Sequence, residues 1–330
     1  MTQKPELPVL AIDLGGTKIT AAIVNEGKII AKEHQYTKAQ EGPEPVINEI
    51  FSITDHLLEI MLVHSSEIKE IGIAAAGAID VSKGIVTVSP NLFGWHNIPL
   101  RDIVEKKYGL VTYVLNDANA AALGEHRFGA GRGVDNLIML TLGTGIGGGI
   151  IINGELYMGP SGTAGEIGHM SIDAKGAEDT CGNAGCLELM ASGSTIAKEA
   201  IACISRGEKS SMTNIVGDNL GNITAEMVGV AAGNGDRLAI TIISKMINYL
   251  GTGLVNLVNI FNPELIVIGG GMSNMGVILF ESLRQIVREK AFRLASDRVR
   301  IVPAELGNDA GVIGAAVYVS KKRSRTGGTR

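Results

Sequence analysis

The chain has 330 residues, 45% of them hydrophobic, and a net charge of −5 at neutral pH. That length is more than one hydrophobic core usually serves, so two domains are expected. The acidic balance carries no electrostatic footprint for nucleic acid, and three cysteines argue against a disulfide framework and for a reducing, cytoplasmic setting.

Met1-Thr2-Gln3-Lys4-Pro5-Glu6 leads straight into an apolar run, with no leader-like segment. Val9 to Leu14 then reads as a buried strand, Gly15-Gly16-Thr17-Lys18 as a tight turn, and Ile19 to Asn25 as a second strand. A turn of Gly and Thr offers backbone N–H groups and a hydroxyl without a side-chain wall, which suits a phosphate oxygen. Asp13, just before it, can anchor a hydrated Mg²⁺ bridging phosphates, or merely stabilise the turn. Ile71 to Gly77 is a short apolar strand ending in small residues, and Thr112 to Asp117 is another. Ala118 to Glu125 follows as an alanine-rich helix with no breaker before Gly129. Asp117 thus stands where a strand becomes a helix, at the mouth of a sheet. There it can deprotonate an acceptor hydroxyl, and it can equally cap the helix.

The second half opens as the first does. Leu137 to Leu142, the turn Gly143-Thr144-Gly145 and the strand Gly147 to Asn153 overlay the first hairpin, with Thr141 on Asp13, Gly143 on Gly15 and Asn153 on Asn25. Two such hairpins point to phosphotransfer from a nucleotide held between two domains. Gly143 to Gly148 also fits the dinucleotide pattern G-x-G-x-x-G, but that fingerprint needs a helix next, and a β-branched strand follows. An oxidoreductase is therefore set aside.

Between Gly165 and Glu188 lies a polar cluster. Cys181 and Cys186, with His169 upstream and Asp179 as the candidate fourth ligand, have the donor types of a structural zinc site; two buried free thiols beside a Gly-rich turn would look the same. Glu166, His169 and Glu188 have the reach to bind sugar hydroxyls, and each also suits a solvated surface. Leu250 to Phe261 is a helix stopped by Asn262-Pro263, and Glu264 to Ile268 is a buried strand closing in Gly269-Gly270-Gly271. Ile240 to Phe261 is apolar, but Lys245, Asn248, Asn256 and Asn259 argue against a membrane span. Gly311 to Tyr318 has no polar face and must be buried, and the basic end from Lys321 reads as a solvated tail.

These motifs together resemble the ROK family (repressors, open reading frames and kinases) of the actin-like, ribonuclease-H-like ATPase superfamily, from Ala11 to about Val319. The resemblance implies an α/β, two-domain actin-like fold with an interdomain cleft. Its smaller domain would be residues 1–120 plus a C-terminal helix at about 310–322, and its larger one residues 121–309. Asp13, Gly15, Gly16, Thr17 and Lys18 are similar to the family's first phosphate motif, Gly143, Thr144 and Gly145 to its second, and Gly269, Gly270 and Gly271 to its adenosine-side motif. Asn116-Asp117-Ala118-Asn119 matches the catalytic segment, which makes Asp117 the base and sets Asn116 beside it against the sugar. Glu166, His169 and Glu188 would contact the sugar as well, His169 doubling as a zinc ligand. Pro90 to Trp95 resembles the glucokinase-type segment, with Asn91 on a sugar hydroxyl and Gly77 offering backbone. In the family's C-x-C-G-x-x-G-C pattern the first cysteine is here Asp179, so the zinc set becomes His169, Asp179, Cys181 and Cys186, or the zinc is lost.

The resemblance implies a hexose kinase using ATP and Mg²⁺, glucose as its sugar, a homodimer, and closure of the domains on sugar to exclude water. N-acetylmannosamine, N-acetylglucosamine and other hexose kinases share most of these residues, and polyphosphate is an alternative donor. Some family members are sugar-sensing repressors with a DNA-binding segment before this core; here eight residues precede the first strand, and the kinase is the expectation.

Overall fold

The first half of the chain forms β1 (Val9–Leu14), β2 (Lys18–Asn25), β3 (Lys28–Tyr36), α1 (Pro43–Ile60), β4 (Glu70–Ala75), β5 (Ala78–Asp80), β6 (Ile85–Val88), β7 (His96–Ile98), α2 (Leu100–Tyr108), β8 (Val111–Asn116) and α3 (Asp117–Phe128). The second forms β9 (Leu137–Leu142), β10 (Ile146–Ile152), β11 (Glu155–Leu156), α4 (Leu187–Ala191), α5 (Gly193–Ser205), α6 (Thr213–Val216), α7 (Ala225–Gly233), α8 (Arg237–Phe261), β12 (Leu265–Gly269), α9 (Val277–Lys290), α10 (Arg293–Ser296), β13 (Arg300–Pro303) and α11 (Ala310–Thr326). The structure is a computed structural model, and it describes residues 7–60, 67–179, 181–217 and 219–326.

The repeat seen in the sequence is a repeat of topology. One sheet has the order β3-β2-β1-β4-β8, and another has β11-β10-β9-β12-β13, so β9, β10 and β11 stand where β1, β2 and β3 stand. In each, an antiparallel strand follows the first and parallel strands flank its other side. β1 and β4 are buried almost end to end, as parallel strands covered on both faces must be. β3, at the edge, alternates between exposed and half-buried positions. A smaller sheet, β5-β6-β7, carries the segment that ends at the buried Trp95.

The chain packs as two units. The first gathers residues to Gly133, Gly149–Gly165 and everything from Glu305 onward; the second holds Val134–Gly148 and Glu166–Ala304. α3 lies whole in the first unit, held there by a close helix pair. A Cβ on Gly124 would land on the Ala310 carbonyl, and one on Gly314 on the Ala120 carbonyl, so α3 and α11 meet backbone to backbone. The apolar run of α11 is thereby buried, from Val312 to Val319. α1 covers the sheet with Val46, Ile50, Ile53 and Leu57, one helical face.

In the second unit α8 is the central helix, packed on α4, α5, α7 and α9. Among the described residues it alone is long and apolar enough to cross a membrane, yet its apolar face, from Ile242 through Leu250 to Val258, is buried in the unit. It ends at Asn262, whose left-handed backbone (φ 46°) returns an N–H to the Val258 carbonyl before Pro263. All three cysteines are free thiols.

Candidate functional site

In the first unit, the end of β1, the β1–β2 turn and the start of α3 bring the expected groups together. Gly15 N–H donates to the Lys18 carbonyl at 3.0 Å, closing the turn, and Thr37 Oγ1 donates to the Gly15 carbonyl at 2.8 Å. A Cβ on Gly16 would meet the Asn91 side chain, which therefore sits directly against the turn. Asp13 is the most perturbed carboxyl in this group. Burial, then the charge of Asp117, push its pKa up to about 7, with Lys18 opposing. Its carboxyl lies against Gly311, at the start of α11, where any side chain would collide with it.

Asn116 and Asp117 take different places at the strand-to-helix junction. The cap of α3 is Asn116: its backbone is extended and its side-chain oxygen accepts from Asn119 N–H at 3.1 Å. Asn116 Nδ2 donates to the Gly77 carbonyl at 3.0 Å, tying two further expected residues together. Gly77 needs its positive φ of 116°, and a side chain there would strike the Val88 carbonyl. Asp117 is instead the first residue of α3; its Oδ1 accepts from Ala118 N–H at 2.8 Å, and the positive end of the helix favours its charge.

In the second unit the β9–β10 turn is built in the same manner, Gly143 N–H donating to the Gly145 carbonyl at 3.0 Å. Gly193 N–H, from α5, donates to the Gly143 carbonyl at 2.8 Å. Glu188 Oε2 accepts from Ile146 N–H at 2.6 Å, and its carboxylate occupies the space a side chain on Gly145 would need. A Cβ on Gly168 would strike the Ile146 carbonyl, so the Glu166–His169 turn lies on the start of β10. Glu166 keeps an exposed face, yet partial loss of water around its carboxyl raises its pKa, with His169 lowering it and Glu188 raising it. Gly270 (φ 84°) presses on the Leu142 backbone at the end of β9, which sets the Gly269–Gly271 motif beside the second glycine turn.

One side-chain cluster fits a metal. His169, Asp179, Cys181 and Cys186 each present a ligand atom, all within 4.8 Å of one another. Cys181 Sγ lies 3.2 Å from Asp179 Oδ2 and 3.5 Å from Cys186 Sγ, and His169 Nδ1 lies 3.5 Å from Asp179 Oδ2. His169 Nδ1 is buried without a hydrogen bond, which a bound cation would satisfy. The set of two sulfurs, one nitrogen and one oxygen suits zinc.

A model of the ROK family matches residues 9–322. The chain belongs to the ROK family. The glucokinase of Thermotoga maritima is 38% identical over 322 residues, 96% of this ROK chain and 99% of its own length. The xylose repressor of Caldicellulosiruptor bescii is 35% identical over 312 residues, 94% of this chain and 77% of its own length. Among solved structures, a ROK family glucokinase from Streptomyces griseus in complex with glucose and AMPPNP matches with a TM-score of 0.82 at 34% identity, covering 94% of this chain and 98% of that one. The mixed α/β architecture is the actin-like ATPase fold expected from the sequence. Three supports of this ROK site had no signal in the sequence: Thr37 on the first turn, Gly193 under the second, and Gly311 against Asp13.

Proposed function

We propose that this ROK protein is an ATP-dependent kinase that transfers the γ-phosphoryl group to the 6-hydroxyl of glucose, with Asp117 as general base. That it is a sugar kinase rests on its 38% identity, over nearly the whole chain, to the Thermotoga maritima glucokinase and on its likeness to the Streptomyces griseus enzyme. The observation that carries the catalytic role is the division of labour at the β8–α3 junction: Asn116 does the capping, so Asp117 is not needed as the cap. A sugar sensor, the reading suggested by the xylose repressor, has no use for a base and two phosphate turns.

In this reading the glycine turns at Gly15–Lys18 and Gly143–Gly145 take phosphate oxygens with their N–H groups, and Gly269–Gly271 takes the adenosine side. In the first unit Asn91, Asn116 and Gly77, and in the second Glu166, His169 and Glu188, are the groups that family resemblance assigns to the sugar, and transfer proceeds by positioning and electrostatics. Mg²⁺ bound through Asp13 would neutralise phosphate charge; the half-buried carboxyl beside Asp117 offers the hard oxygen donors such a cation takes. The reading includes a homodimer in the cytoplasm, which family resemblance alone supports. An ADP-release assay with ATP-Mg²⁺ and a panel of hexoses and N-acetylhexosamines tests it. Glucose is expected to give the highest kcat/KM. Turnover confined to N-acetylmannosamine or N-acetylglucosamine would overturn the sugar, and none with a folded protein would overturn the kinase.

Asp13 also predicts a pH signature of stability. Its carboxyl titrates at 3.8 unfolded and at about 7 folded, so its stabilising contribution is full below about 4 and is lost as pH rises through 7. The unfolding midpoint of cation-free protein is expected to fall between pH 5 and pH 8, and Asp13→Asn to flatten that fall. An unchanged slope in the variant would refute the assignment.

Zinc at His169, Asp179, Cys181 and Cys186 would tie the Glu166–His169 turn to the Cys181–Cys186 loop. Elemental analysis of protein purified without chelator is expected to find about one zinc per chain, and Cys186→Ser to lose it. Metal-free wild type with full sugar affinity would show that the thiols are simply free.

A further inference from the structure

On the second unit, α9 and β13 border a cavity of 310 Å³. Three of its lining residues are Arg284, Arg288 and Arg300, none is acidic, and Val287 and Ile301 form an apolar wall. Arg284 is fixed in place: Nε and Nη2 donate to the Ile301 carbonyl at 3.0 and 2.6 Å, and Nη1 donates to Glu281 at 2.6 Å. Arg288 lies one helical turn further along the same face of α9. Arg300 enters from the first position of β13.

The acids nearby are already engaged. Glu281 pairs with Arg284, Glu289 accepts from the Gln285 amide, and Asp297 lies 3.8 Å from Arg293. Among the described residues, Arg288 and Arg300 have no carboxylate partner. Arg288 and Arg300 therefore line the cavity as guanidinium groups without a carboxylate of their own, in a chain whose net charge is −5. An apolar wall strengthens the attraction for an anion by lowering the local dielectric.

We propose that this cavity binds a small phosphate-bearing anion, either inorganic phosphate or the phosphoryl group of a sugar phosphate, held by Arg288 and Arg300 beside the fixed Arg284. Guanidinium forks match phosphate oxygens two at a time. Arginines arriving from a helix and a strand suit a tetrahedral, doubly charged group better than a planar carboxylate, whose two oxygens one fork would saturate. The volume lies at the small-ligand end of binding pockets. The cavity shares no residue with the groups proposed to bind ATP, Mg²⁺ or the hexose, so it is a second site.

The test is calorimetric titration of the full chain with inorganic phosphate and, separately, with glucose 6-phosphate, in the presence of glucose and a non-hydrolysable ATP analogue. The wild type is expected to bind with a salt-sensitive affinity, and Arg288→Ala/Arg300→Ala to weaken it at least tenfold. Arg300→Gln, a milder change at an exposed position, is expected to weaken it in the same direction with an unchanged unfolding midpoint. Tighter binding of the sugar phosphate than of phosphate assigns the site to the sugar phosphate; equal affinities assign it to the phosphate group alone. Absence of binding by both, or equal binding by wild type and double variant, overturns the proposal. The variant comparison holds whether or not the kinase reading does.

Discussion

Asp117→Asn is expected to lower kcat about 100- to 10,000-fold, the span a positioned general base contributes, while KM for ATP and the unfolding midpoint stay near wild type. The fold survives because the cap of α3 is Asn116 and because an asparagine oxygen can still accept from Ala118 N–H. What disappears is the charge at the helix N-terminus and the capacity to take a proton. The neighbouring carboxyl gives a second readout. Asp117 is one of the two causes that raise the Asp13 pKa, so the variant is expected to bring Asp13 below its value of about 7. Steady-state kinetics on glucose and the pH profile of Asp13 can be measured on the same preparation. A kcat within about tenfold of wild type would remove Asp117 from the chemistry. A raised KM for sugar at unchanged kcat would make it a binding residue only.

The sequence announces what recurs or what punctuates. The two Gly-rich hairpins overlay in the chain, and they open two sheets of the same strand order. Asn262-Pro263 marks the end of α8, and the spacing of Cys181 and Cys186 brings their sulfurs to 3.5 Å. Even there the reading is partial, since α8 begins at Arg237, well before the Leu250 start expected. Pairings between a side chain and a distant backbone group leave no such mark. Glu188 reaches the Ile146 N–H and Asn91 rests on Gly16, and neither relation has a period or a motif. Which residue of Asn116-Asp117 caps the helix is likewise invisible in the dipeptide. It depends on where the strand's extended backbone gives way to the first helical turn, and both residue types cap well. The candidate residues of the site were thus legible, while the braces that hold them in place were not.

Glu125 is the brace with the largest expected effect on stability. It is fully buried in the last turns of α3, eight residues after Asp117 in the sequence. Oε2 accepts from Ala130 N–H at 2.8 Å and Glu305 N–H at 3.1 Å, and Oε1 accepts from Leu306 N–H at 2.7 Å. One carboxylate therefore satisfies three backbone donors, two of them in the turn that feeds α11. Alanine would leave all three without an acceptor, and each orphaned buried donor costs about 1–3 kcal/mol. Glu125→Ala is expected to cost about 3–5 kcal/mol, read as a lower urea midpoint. Glu125→Gln is the sharper variant, because it keeps the volume and one acceptor but points an amide N–H₂ at a backbone N–H. It is expected to lose about 1–3 kcal/mol. The loss reaches function because α11 begins against Asp13, at Gly311. When the 305–306 turn loosens, the wall behind that carboxyl loosens with it, so kcat is expected to fall in the glutamine variant under conditions where it remains folded. A urea midpoint and kcat both equal to wild type in Glu125→Gln would show that this carboxylate neither anchors α11 nor steadies the Asp13 end of the first unit.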